Sequence, residues 1–218
     1  MSTQLPLFPL QTVLFPGALL PLHIFESRYR ELLADLSVLP GEHQLFGLLP
    51  PGDPAELPEP GAIGTVARLR GMQQLPDGRF NIVVGGERRF VFRSSVEAAT
   101  PYLQGVVDWF DDEPEVQVPA DDEVARLHVL GERYALAQHA LLDRALDVEL
   151  PKDAARLTFG IAAFLDWEFE ALQRFLEMRS VAARVTRLLA ALPKLVASVE
   201  ARAGAHARAK SNGHGSVV

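Results

Sequence analysis

Apolar and polar positions alternate with a period of two through much of residues 1–119, and with a helical period of about 3.6 through much of the rest. Ile63, Thr65, Ala67 and Leu69 oppose Gly64, Val66, Arg68 and Arg70, and Phe90 and Phe92 oppose Arg89, Val91 and Arg93. This pattern predicts strands at 5–10, 20–24, 44–50, 63–75, 79–85, 87–98 and 102–110. Pro76-Asp77-Gly78 predicts a hairpin turn, because proline pre-sets φ and glycine accepts a positive φ. Gly85-Gly86 predicts a second turn or a bulge. One helix is expected among the strands, with Phe25, Tyr29, Leu32, Leu33 and Leu36 forming a single stripe.

From residue 120 the period is helical. Asp121 or Asp122 is expected to cap a helix running to about Leu146, with Leu127, Leu130, Tyr134, Ala137 and Leu141 on one face. Val129, Leu136 and Leu142 lie off that face, so the helix carries surplus apolar surface. Asp153 starts a second helix, a short third one carries Phe169, Leu172, Phe175 and Leu176, and Ser180 caps a long last one, kinked at Pro193. Breakers divide the chain in the same way: residues 1–119 hold 14 of the 16 prolines and 11 of the 16 glycines. Disorder is expected from Gly204 on, where the chain is mostly Gly, Ser, Ala, His and single basic residues.

Composition narrows the function classes. A net charge of −7 disfavours nucleic acid, whose binders carry excess Lys and Arg. With no cysteine, disulfides, thiolate metal sites and a Cys nucleophile are excluded, which fits a cytosolic chain better than a secreted one. Leu5–Phe25 is uncharged and long enough to span a bilayer, but Pro6, Pro9, Pro16 and Pro21 would break that helix, so no membrane association is expected. His128 and His139 share a helix face yet stand ~16 Å apart along it at ~1.5 Å per residue, too far for one ion. The acidic clusters at Asp111–Glu113 and Asp121–Glu123 lack a calcium-loop pattern, and no metal or cofactor is expected.

The segments LPLFPLQTVLFPGALLPLHIFESRYRELL, IGTVARLRGMQQLPDGRFNIVVGGERRF and PYLQGVV together resemble the N-terminal substrate-binding domain of the ATP-dependent protease Lon. The positions that carry the resemblance are Pro9, Leu10, Pro16, Gly17, Pro21, Leu22, Phe25, Glu26, Arg28 and Tyr29, then Asp77, Gly78, Gly86, Arg89 and Phe90, then Pro101 and Tyr102. It covers about residues 5–200. It implies an α+β fold: a PUA-like β pseudo-barrel with one helix at 1–119, a helical bundle at 120–205 and a tail at 206–218. A G-x-x-x-x-G-K-[ST] phosphate cradle is absent, and Lys152, Lys194 and Lys210 offer no desolvated partner for a serine. The chain therefore reads as a stand-alone form without the ATPase and protease domains.

What the resemblance implies is a non-enzymatic cytoplasmic module that binds polypeptide segments or a protein partner, with a weak homo-oligomer as an open alternative. The alternative is an adaptor for a separate protease. A hydrolase built from assembled carboxylates and an RNA binder rank lower. Strand edges offer β-augmentation as a mode of binding. The candidate contact residues are Phe25, Glu26, Arg28, Tyr29, Arg89, Tyr102 and Trp109. For Glu26 and Arg28 an ion pair is the favoured structural role. For Arg88 and Arg89 the expectation is an arm packed along the sheet with a hydrated guanidinium.

Overall fold

The computed structural model describes residues 2–52, 57–114, 118–143 and 149–213. Parts of the 50–61 and 111–119 connections, the end of the first long helix toward Leu146, and the last five residues with His214 lie outside that description. The chain forms two compact units. One comprises Met1–Asp112 with Trp167–Arg179, the other Glu113–Asp166 with Ser180–Val218.

The first unit contains β1 (Thr3–Pro9), β2 (Leu19–Ile24), α1 (Ser27–Ser37), β3 (Leu45–Leu49), β4 (Ile63–Gln74), β5 (Phe80–Val96) and β6 (Leu103–Trp109). β1 pairs with β3 in parallel and with β6 antiparallel, while β3–β4, β4–β5 and β5–β6 are antiparallel. The pairing β1–β3–β4–β5–β6 therefore returns to β1, and among the described residues β2 is joined only to β5. β5 makes this possible through its length: residues 80–85 pair with β2, and residues 90–96 pair with β6.

Two apolar clusters follow from strand alternation. Leu5 and Leu7 of β1 pack with Leu49, Val66, Phe90, Phe92 and Val107. Gly47, Gly64 and Gly105 line that cluster, each with no Cβ where the rings of Phe90 or Phe92 approach. Phe8, on the opposite face of β1, joins a second cluster in which α1 contributes Tyr29, Leu32, Leu33 and Leu36. Four members of the predicted stripe are thus buried. Phe25 is not, because the helix begins only at Ser27 and leaves Phe25 in the approach to it, 62% exposed.

Of the turn and the bulge expected at Gly85-Gly86, the structure has the bulge: β5 runs unbroken through both, and its register against β4 slips between Thr65 and Ala67, where Gly86 stands opposite Ala67. Two further expectations need correction. The fourth helix of the chain folds with the sheet and not with the other helices (α4, Phe169–Leu176). The last helix does not end near Gly204.

The second unit holds α2 (Asp121–Leu141), α3 (Ala154–Ala162) and α5 (Val181–Gly213). Asp153 and Ser180 cap α3 and α5 as expected, accepting from the N–H groups of Arg156 and Ala183 at 3.0 and 3.1 Å. α2 differs: Ala120 takes the cap position, and its N–H donates to the Glu123 carboxylate at 3.1 Å. Asp121 and Asp122 sit in the first turn, where their charge still favours the helix dipole. α5 continues through Pro193 to Gly213 because alanine, the strongest helix former, recurs at 201, 203, 205, 207 and 209. His206 and Lys210 also bond Asp143, at 3.1 and 2.6 Å. On α2, Leu127 is buried while Val129, Leu136 and Leu142 remain exposed.

Candidate functional site

The seven candidate residues do not converge on one surface. Tyr29 is in the core, its ring stacked on Phe8 at 3.8 Å and the Arg28 guanidinium 4.7 Å from its centre. Tyr102 is buried too, donating its hydroxyl proton to Asp35 at 2.8 Å. Glu26 accepts from the Arg28 guanidinium at 3.0 Å, a half-exposed pair at the head of α1. Trp109 is half-buried under the Arg88 guanidinium.

Burial pushes the Tyr29 phenol up to about 12. Tyr102 rises to the same value, first through burial and then through its bond to Asp35 and that carboxylate's charge. Both phenols bind their proton more tightly folded than unfolded. Their contribution to stability is complete below pH ~10 and disappears as the pH rises toward 12. A tyrosinate absorbance titration is expected to show both ionising only near pH 12, in step with unfolding; normal titration of either at pH ~10 would contradict the burial.

Arg89 corrects the sequence reading most. Its side chain is 3% exposed, so its guanidinium lies in the interior and not at the surface. One nitrogen donates to the carbonyls of Leu176 and Met178 at 2.6 and 2.8 Å, and another pairs with Asp112. The carbonyls at the end of α4 have no partner within their helix, so Arg89 closes that helix and ties it to β5. The Arg89 and Arg179 guanidinium carbons both lie over the Phe110 ring, at 5.0 and 5.3 Å from its centre. This is a structural latch.

A concave surface lies elsewhere in the same unit. A cleft of about 500 Å³ opens on the outer part of β2, β5 and β4, lined by Pro21, Leu22, Met72, Ile82 and Val83, with His23, Gln73 and Asn81 at its polar end. Its volume is within the range of sites that take small ligands or a few side chains, roughly 300–1,000 Å³. Antiparallel register brings Pro21 opposite Val83 and Val83 opposite Gly71, so the floor is continuous across three strands. Arg79 donates to His23 Nε2 at 3.2 Å, and this assigns the Nδ1 proton to the 2.8 Å bond with Asn81. The Phe25 ring lies 6.4 Å from that imidazole. Phe25 is thus the one candidate that stands exposed beside the cleft.

Arg68, Arg70 and Arg79 all have carboxylate contacts. Arg79 bonds Asp77, and Arg68 and Arg70 share Glu87. Met72 and Val83 were not among the sequence candidates, although the alternation in 79–85 carried the signal: Val83 is apolar yet faces away from buried Ile82 and Val84. Among the described residues no group of three His, Asp or Glu side chains is placed to hold a metal, and no helix is long and apolar enough to cross a membrane.

The family pattern described as the ATP-dependent protease La (LON) substrate-binding domain matches residues 4–194. Lon protease 1 of Thermus thermophilus is 31% identical over 203 residues, which cover 87% of this chain and 24% of that protein. Lon protease of Cytophaga hutchinsonii is 24% identical over 94% of the chain and 26% of its own length. The chain thus spans about a quarter of the length of these curated relatives. Among solved structures, a Lon N-terminal domain protein from Xanthomonas campestris aligns with TM-score 0.64 and 28% identity, over 88% of this chain and 99% of that one. The N-terminal domain of Mycobacterium avium complex Lon protease shares the fold at TM-score 0.58 and 17% identity, over 89% of this chain and 98% of that one.

Proposed function

The chain belongs to the Lon substrate-binding domain family, and from that premise we propose that it is a non-enzymatic cytoplasmic module that binds polypeptide segments in the cleft on β2, β5 and β4. The observation that carries this reading is the cleft itself: apolar, continuous across three strands and flanked by an exposed Phe25. On this reading the returning strand pairing corresponds to the PUA-like pseudo-barrel, and α2, α3 and α5 to the helical bundle, that the resemblance implies. The occupant is an extended, uncharged segment with apolar side chains. The Arg79–Asp77 pair at the polar end is already closed, and a charged side chain laid on the apolar floor would lose its hydration with no partner there. An area this small supports affinity in the roughly micromolar range.

Fluorescence anisotropy with a panel of unstructured peptides tests the proposal. Uncharged apolar peptides are expected to bind and charged ones of equal length not to. Val83→Glu, on an exposed strand position, is expected to weaken binding by about tenfold or more while leaving the melting temperature nearly unchanged. Absence of binding by any peptide at roughly millimolar protein would refute it.

A further inference from the structure

Resting on the polypeptide-binding reading of this face, we infer that Pro21 is its specificity-determining residue: it blocks strand addition along β2, so an occupant is held through its side chains alone. β2 is an edge strand, and among the described residues nothing pairs with its outer side. The Gly86 N–H donates to the Ala18 carbonyl at 2.9 Å. Alternation then turns the backbone groups of Ala18, Leu20, Leu22 and Ile24 toward β5, and those of Leu19, Pro21 and His23 outward. Pro21 is the middle member of the outward set and has no N–H. An added strand would lose its central rung and meet the pyrrolidine ring where a donor is needed.

The opposite side of the same ribbon is closed in another way. β3 pairs with β4 only between Thr65 and Arg68, so residues 70–74 form a second outer edge. The β4–β5 register slips between Leu69 and Gly71, and a bulge there twists the edge out of line. Leu19 and Phe25 are both exposed at the ends of β2. An apolar edge of that kind pairs readily with other chains unless something interrupts it, and Pro21 is the interruption. The face stays open to side chains, while the edges refuse a backbone.

The test uses the whole chain and a labelled uncharged peptide of leucine, phenylalanine, serine and glycine, beside a copy N-methylated at alternate backbone positions. The wild-type chain is expected to bind both copies within about twofold, because no ladder is formed. A ladder of several hydrogen bonds would make the methylated copy weaker by about tenfold or more, and that result overturns the inference. Pro21→Val restores the missing donor. It is expected to bind the plain peptide about tenfold tighter, leave the methylated copy unchanged, and self-associate in sedimentation where the wild type does not. A P21V chain that neither gains affinity nor self-associates overturns the inference, with Pro21→Thr read in the same way if P21V does not fold. If the wild type binds neither peptide, the polypeptide-binding reading fails. The sedimentation of P21V then decides the role of Pro21 alone.

Discussion

Arg89→Ala is expected to lower the melting temperature of the first unit by about 10 °C, while Arg88→Ala, one residue earlier, barely moves it. The two arginines are neighbours on β5 and, by strand alternation, point to opposite faces. Arg88 pairs with Asp111 in solvent, both side chains about half exposed, and such pairs contribute at most ~1 kcal/mol. Arg89 is buried and serves two carbonyls and a carboxylate at once. Its removal leaves those carbonyls and Asp112 without that donor, a loss of roughly 3–5 kcal/mol. Each kcal/mol shifts a chain of this size by about 2–4 °C. Both tryptophans, Trp109 and Trp167, belong to the first unit, so their fluorescence reports its melting. Equal and small effects of the two substitutions would show that Arg89 does not hold α4.

How much of this was legible in the sequence depends on whether the deciding partner is local. Five of the six strands are predicted to within about two residues because alternation and turn chemistry are local properties, as at Pro76-Asp77-Gly78, where Gly78 adopts φ +80°. The caps at Asp153 and Ser180 were legible for the same reason. Arg89 was not, because its partners lie 87 and 89 residues away at the end of α4. Nor was the place of α4, whose apolar stripe is present in the sequence but does not say which surface covers it. The signature residues marked family membership. Tyr29, Arg89 and Tyr102 among them are buried, and the cleft is lined by Met72 and Val83, whose exposure depends on which strands stand beside β5.

The adjacent glycines make the same point in backbone form. Gly86→Ala is expected to cost ~3 kcal/mol or more and to weaken peptide binding, whereas Gly85→Ala should change stability by less than ~1 kcal/mol. A Cβ on Gly85 meets the Arg70 side chain at 2.9 Å, and that half-exposed arm can swing aside. A Cβ on Gly86 would stand 2.2 Å from the carbonyl oxygen of Phe15 and 2.9 Å from its carbon, which are backbone atoms. The segment that approaches here is fixed by two further bonds: the Gly17 N–H donates to the Gly86 carbonyl, and the Gly86 N–H to Ala18, each at 2.9 Å. Residues 15–18 lead directly into β2. Pushing them away from β5 therefore displaces the strand that supplies Pro21, Leu22 and His23 to the cleft. Thermal melting with peptide titration on both variants separates the two positions. A Gly86→Ala chain with wild-type melting and wild-type affinity would mean that this backbone contact does not set the position of β2, and the cleft would need another support.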